Sequence, residues 1–313
     1  MAAPDRPSIV VLGGANTDYL IRGPELPVPG QTLEGDMFLS SAGGKGANQA
    51  VAAARLGAEV AFLARLGSED RADELLAQLR VEGVNTRHVA RDAKQPTGAA
   101  LVMVDGRGRK QIFAAPGANL HMSGLDVQSA GRAIAEARVL SCALEVPTEA
   151  IERAARLARN AGVKVLLDPA PAHRLGKELL SMIDLIKPNA HEAEALTGLP
   201  VEDRDSAGAA GRRLLEMGVG AAVVSAPSGV LLVSDEGEEW VPHFAVDVVD
   251  KTGAGDALAA ALAVILSQDG SLFEELPFAV AVSALATTGF GAQAALPARR
   301  TAEEFLRSHS SGG

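Results

Sequence analysis

One cysteine, one tryptophan and one tyrosine occur among 313 residues, and aromatics together make up 3%. A lone thiol, Cys142, closes no internal disulfide and builds no cysteine-based zinc site. The six histidines form no HExxH or HxH pair that would offer a metal another seat. With so few aromatic rings, the core has to be made from alanine and aliphatic side chains. Positive charge is short as well: 29 Lys and Arg stand against 39 Asp and Glu, a net charge of −10. That balance argues against a nucleic-acid or anionic-membrane partner, both of which reward clustered cations. Long apolar runs are missing too. The longest, from Ala257 to Leu266, falls short of the roughly 20 residues a membrane span needs. The opening MAAPDRPSIVV has no basic stretch leading into an apolar one, so no signal peptide is expected and a cytoplasmic location is.

What is present points to a large packed core. With 47% hydrophobic and 22% charged residues, the chain can bury enough apolar surface to fold, and its length suits one large domain or two modest ones. Short β-rich runs recur at Ile9–Leu12, Val60–Ala64, Val139–Leu144, Val163–Leu167, Leu185–Lys187 and Ala221–Val224. Between them lie helical patterns. Asp70 is placed to cap a helix whose Leu75, Leu76 and Leu79 share a face and whose stop is Gly83. Ile151, Ala154, Ala155 and Ala158 form a second stripe ended by Gly162. Buried strands alternating with amphipathic helices predict an α/β fold with a mainly parallel sheet between helical layers. Two stretches break the rhythm: a turn-rich segment leading into a strand at Gly23 to Ser41, and a hairpin pattern in which Thr97–Val104 and Lys110–Ala115 flank DGRGR. Residues 19–42 and 97–116 are therefore expected to form a small β appendage on a single domain spanning 1–313.

In open α/β sheets ligands sit beyond the carboxyl ends of the strands, and odd polar residues gather there. Asn16 and Asp18 follow the first strand, Glu145 another, and Asp168, Asn189 and Ser225 three more. Asp168, which precedes a proline, is expected to be an ordinary helix cap. The segment GGKGANQ at 43–49 opens a helix but lacks the third glycine of a dinucleotide fingerprint and follows no buried strand, so a nicotinamide site is rejected. More informative is Asp250-Lys-Thr-Gly-Ala-Gly-Asp256, which opens an apolar helix. Small residues at 253–255 let a ligand approach the backbone, and free N–H groups at a helix start attract anions. An anion pocket beside a fixed carboxylate is what phosphoryl transfer to a hydroxyl requires.

These segments resemble the ribokinase family within the phosphofructokinase-B type of sugar kinases, from Ile9 to about Pro297. AGGKGANQA and TGAGD carry the likeness jointly, and LGGANTD, LLDPAPA, KPNAHEAEALTG and GAQ at 291–293 lie in the family's order. The resemblance implies a three-layer α/β/α sandwich with a β lid, and an ATP-dependent kinase acting on the 5-hydroxyl of D-ribose. It implies sugar contacts from Asn16, Asp18, Gly44, Lys45, Asn48 and Glu145. Asp256 would be the base, and the backbone of Gly253, Ala254 and Gly255 the anion hole. Asn189 and Glu192 would organise nucleotide phosphates and Mg2+ through water, with Ser225, Ser228 and Gly229 lining the nucleotide site. Asp250, Thr252, Ala286, Gly289, Gly291 and Ala295 would surround a monovalent cation such as K+. Lids from two subunits would clasp into a homodimer.

Three residues depart from the family pattern. In Ser225-Ala226-Pro227-Ser228-Gly229, which is shorter than usual, Pro227 has no N–H to give a phosphate. Lys251 replaces a common Thr, and Ala295 a common Ser. A reduced potassium dependence is expected from the last two, with the Lys251 ammonium partly replacing the ion. Two rivals stay open: a same-fold kinase for another sugar or a nucleoside, and a non-catalytic sugar or nucleotide sensor. A nucleoside would need an apolar or aromatic platform, and none is identifiable in the sugar-contacting segments.

Overall fold

Alternation along the first strand sets the layers. In β1 (Ser8–Leu12), Ile9 and Val11 enter one buried cluster while Val10 and Leu12 enter another, as successive side chains of a strand must. Two strands on, Val165 and Leu167 join the second cluster and Leu166 the first. A sheet buried on both faces needs helices on both, which gives three layers. The computed structural model describes residues 8–107 and 109–310; the expected leaderless start and the end of the Ser/Gly tail lie outside them.

The remaining strands are β2 (Asn16–Gly23), β3 (Met37–Gly43), β4 (Glu59–Gly67), β5 (Asn85–Asp92), β6 (Gly98–Asp105) and β7 (Lys110–Ala115). They continue with β8 (Val139–Ala143), β9 (Lys164–Asp168), β10 (Leu185–Ile186), β11 (Ala221–Ala226), β12 (Gly229–Ser234) and β13 (Gly237–Pro242). Nine form the main sheet in the order β13-β12-β11-β10-β9-β8-β1-β4-β5. Pairing is parallel from β5 to β11 and antiparallel only through the β11–β12–β13 meander at one edge. Four strands form a separate sheet, β3-β2-β6-β7.

Helices α1 (Lys45–Arg55), α2 (Asp70–Val81), α3 (Gly124–Ser129), α4 (Gly131–Glu136), α5 (Thr148–Asn160) and α6 (Lys177–Leu180) fill the first half. The rest are α7 (Ala190–Thr197), α8 (Arg204–Glu216), α9 (Ala254–Ser267), α10 (Leu272–Leu285) and α11 (Arg299–Ser310). The stripes on α2 and α5 are buried, and Gly83 and Gly162 end them with positive φ. The cap position of α2 is Glu69, one residue before the expected Asp70. The apolar run Ala257–Leu266 is α9, buried on all sides inside the protein. Among the described residues no helix is long and apolar enough to cross a membrane.

The small sheet begins at Asn16. Asn16 and Asp18 follow β1 as expected, but they are strand residues of the second sheet, paired with Gly43 and Ser41 of β3. Gly98 and Ala100 of β6 lie on the other side. That sheet therefore hangs directly over the carboxyl edge of the main one.

Candidate active site

Close glycine contacts bring the chain together at this edge. Gly13, just past β1, and Gly46, in the first turn of α1, are in backbone contact: a Cβ on Gly46 would lie 2.6 Å from the Gly13 Cα. Gly44, with φ +89, turns the chain into α1 where a side chain would meet Ala15. No side chain of its own first turn caps α1. Glu145 does so from beyond β8, one oxygen accepting from the N–H groups of Lys45 (2.7 Å) and Gly46 (3.3 Å). On the other side α9 starts at Gly253 in the left-handed conformation, again without a side-chain cap. The Ala254 N–H makes a long bond to the Lys251 carbonyl oxygen at 3.4 Å, and an uncapped helix start of this kind favours an anion.

Between them lies a cavity of about 630 Å³. Asn16, Asp18, Gly44, Lys45, Asn48, Glu145, Thr252, Gly253 and Asp256 all line it, so every residue expected to contact the sugar is here together with the expected base. Asp256 is 4% exposed. Asn48 Nδ2 donates to its Oδ2 at 2.8 Å, and Asn48 is itself held by Gln293 Nε2 at 3.1 Å. The other oxygen, Oδ1, has no hydrogen bond and lies 3.6 Å from Lys45 Nζ. Burial opposes the Lys45 charge, but Asp256, Asp168, Glu145 and Glu192 outweigh it and drive its pKa upward, so Lys45 stays an ammonium.

Two further acids of the cavity behave differently. Burial, reinforced by the nearby Asp256 charge, raises Asp18 to about 6 and Glu145 to about 7. Both are pushed up from the ordinary carboxylate range, so the folded chain retains protons that the unfolded chain releases. Stability of the ligand-free protein is therefore expected to decline as pH rises from about 4 through 7. Asp18→Asn removes that residue's share of the penalty and leaves that of Glu145: its melting temperature at pH 8 should exceed wild type by about 1–2 °C and its fall between pH 5 and 8 should become shallower. A melting curve series with an unchanged slope would assign the protons elsewhere.

The cavity wall adds what the sugar-contacting segments lack. Ala100, Val102, Ile112 and Ala114 from the small sheet, with Leu120, Leu144 and Pro171, make it largely aliphatic. An apolar platform does exist; it is supplied by strands β6 and β7 rather than by the glycine segments.

Asp168 corrects an expectation. It caps no helix: it is wholly buried, accepts from Gln49 Nε2 at 2.9 Å, and lies 3.0 Å from Lys187 Nζ and 3.9 Å from Lys45 Nζ. Asn119 was also unforeseen; it donates to Asn16 Oδ1 and accepts from the N–H of Ala15. Arg55 holds the 293–296 loop by its carbonyls and so positions Gln293. GAQ in the sequence pointed to that loop, but nothing there signalled Asn119 or Arg55.

The residues expected at the nucleotide lie beside the cavity rather than in it. Asn189 and Glu192 form a reciprocal capping box at the start of α7, and Asn189 bridges to Ser225. Pro227 and Ser228 are the turn of the β11–β12 hairpin, where Ala226 pairs with Gly229; there the missing N–H of proline breaks no ladder bond. At the expected cation loops, Asp250 accepts from the N–H and hydroxyl of Thr252 and from the N–H of Gly291. Ala286 ends α10, and Gly289 lies against Ala295, so the two loops are packed together. Lys251 is exposed, and a solvent-facing ammonium is screened; it is no shielded substitute for an ion.

The likeness to known proteins runs along nearly the whole chain. A ribokinase from Haemophilus influenzae is 38% identical over 302 residues, covering 96% of this chain and 99% of its own. A deoxyribokinase from Salmonella typhi is 34% identical over 300 residues, covering 95% and 98%. Among solved structures, Arabidopsis thaliana ribokinase complexed with ribose and ATP matches with a TM-score of 0.88 at 32% identity, over 96% of this chain and 99% of that one. The family model for pfkB family carbohydrate kinases matches residues 6–299. The matched family model spans nearly the whole chain, and the relatives are covered almost end to end: the chain belongs to the pfkB family of carbohydrate kinases.

Proposed function

We propose that the protein is a ribokinase, transferring the γ-phosphoryl group of ATP to the primary 5-hydroxyl of D-ribose. The observation that carries this reading is the Asp256 carboxylate, which lines the cavity at the start of α9 and has one buried oxygen without a hydrogen bond. Asn16, Asp18, Gly44, Lys45, Asn48 and Glu145 bind the sugar hydroxyls, for which carboxylates and amides are suited acceptors and donors. Asp256 accepts the 5-hydroxyl proton while that oxygen bonds to phosphorus and the bond to ADP breaks. Backbone N–H groups of Gly253, Ala254 and Gly255 take up the charge on the moving phosphoryl group. Ser225, Ser228 and Gly229 border the nucleotide.

Asn189 and Glu192 would hold Mg2+ through water; each Glu192 oxygen already accepts one hydrogen bond from Asn189, and a carboxylate has further acceptor sites for water. Bound there, Mg2+ would supply positive charge to the phosphates. Asp250, Thr252, Ala286, Gly289, Gly291 and Ala295 enclose the monovalent-cation loop, where Ala295 offers no hydroxyl. Turnover is therefore expected to change little between potassium and tetramethylammonium buffers; strong potassium activation would overturn that. The small sheet is a lid, and its exposed Phe38 and Phe113 suit burial against a second copy in a homodimer.

An ATP-coupled assay with ribose, 2-deoxyribose, fructose and adenosine tests the function. Ribose is expected to give the highest kcat/KM. The aliphatic wall and the deoxyribokinase relative favour 2-deoxyribose as second substrate, and a preference for it would reassign the sugar. Ribose binding with turnover no higher than an Asp256→Asn control would support a sensor instead.

A further inference from the structure

The strongest unassigned feature is the buried pair of Asp168 and Lys187. Asp168 ends β9 with no exposure, and Lys187 follows β10 at 3% exposure. Their charged atoms are 3.0 Å apart. Two ions in a core recover their hydration only through each other and through further hydrogen bonds, so a pair in this place invites the question of what else it holds. Lys187 Nζ also donates to the carbonyl oxygen of Gly255 at 3.2 Å. Asp168 also faces Lys45 Nζ at 3.9 Å, and Lys45 faces Asp256 at 3.6 Å. Charges thus alternate in a line, from Asp256 through Lys45 and Asp168 to Lys187, and the line returns to the peptide just before Asp256. Gln49, donating to Asp168 and accepting from Ser141, anchors its middle to β8.

We infer that Lys187 and Asp168 are positioning residues for phosphoryl transfer, Lys187 fixing the peptide between Gly255 and Asp256 and Asp168 holding both lysines in place. A trans peptide is planar, so its C=O and N–H point in opposite directions. A cation gripping the Gly255 carbonyl on one side therefore aims the Asp256 N–H out of the helix start on the other, toward the incoming phosphoryl group. The same ammonium places a full positive charge beneath those amides, in surroundings too dry to screen it. Asp168 sets how Lys45 is shared: its pull keeps the ammonium from closing onto Asp256, whose free oxygen must stay open to a hydroxyl. The inference rests on the kinase reading above and adds to it two residues that touch neither sugar nor reacting atoms.

Steady-state kinetics on Lys187→Met and on the neutral double variant Asp168→Asn/Lys187→Met test it. Wild-type turnover of ATP and ribose in the same assay is the control for the function itself; its failure would discard the kinase reading, not this one alone. Lys187→Met should lower kcat by about 10²-fold, the size seen when one donor is taken from a preorganised anion hole, with ribose KM little changed. It should also melt earlier, since buried Asp168 is left with Gln49 and only the more distant Lys45 charge at 3.9 Å. The double variant should recover the melting temperature but not kcat, and should lose more affinity for ADP with aluminium fluoride and ribose than for ADP alone. Recovery of kcat along with stability would make the pair purely structural and overturn the inference. So would an equal loss for both nucleotide probes, a rise in ribose KM matching the fall in kcat, or a double variant that does not fold.

Discussion

Asp256→Ala is expected to reduce kcat by about 10²–10⁴-fold, the usual worth of a positioned general base, with ribose KM changing far less. The asymmetry follows from the local geometry. Asn48 holds one oxygen of Asp256 at 2.8 Å, while the other makes no hydrogen bond in the ligand-free protein. Its contribution therefore grows as the hydroxyl proton transfers, an interaction realised in the transition state more than in the bound ground state. Asp256→Asn keeps the shape and abolishes the base, so the two variants should lose similar amounts of kcat. Steady-state rates across pH check this, and near-normal turnover in either variant would move the base to another residue. Relieved of the Asp256 charge, Asp18 and Glu145 should also titrate lower, because that charge helps hold both up.

Gly46→Ala carries the second large effect. The added Cβ would lie 2.6 Å from two Gly13 backbone atoms and 2.8 Å from the Gly14 carbonyl oxygen. None of these is the end of a flexible side chain, so the strain cannot be released by a rotamer change; α1 or the end of β1 must move. Forcing one carbon into such a contact costs about 1–3 kcal/mol. The displacement also pulls the N–H groups of Lys45 and Gly46 off Glu145. Ribose KM should rise by at least about 10-fold, as hydroxyls lose aligned partners worth over 1 kcal/mol together, and the melting temperature should drop. Gly57→Ala is a useful contrast: its Cβ meets nothing within 4 Å, though φ is +93, so it should cost stability without raising KM. Equal KM in the two variants would remove close packing as the reason for glycine at 46.

Much of this was legible in the residue order. Apolar alternation in Ile9–Leu12 and the stripes of Leu75, Leu76, Leu79 and of Ile151 to Ala158 reflect periods of 2 and 3.6, which a local window reveals. The same windows put Glu145, Asp168, Asn189 and Ser225 just at or past strand ends, and parallel strands carry those ends to one edge. Motif resemblance then collected Asn16, Asp18, Lys45, Asn48 and Asp256, and all five line one cavity. Asp168 shows where such reading stops. An aspartate before a proline has the local chemistry of a cap, and only burial between two lysines, one of them far off in the sequence at Lys45, reveals a shared counter-charge.

By itself, then, the amino-acid order determined the class of fold, the edge at which ligands gather and the carboxylate at the start of α9, because each depends on periodicity or on neighbours within a few residues. Tertiary structure alone decided that Glu145 caps α1, that the small sheet supplies an aliphatic wall, and that Gln293 orients Asn48 for Asp256 from 245 residues away. Those contacts arise where loops from separate strands converge, and the energies that select them (desolvation, charge pairing, backbone clash) exist only once the chain has closed around them.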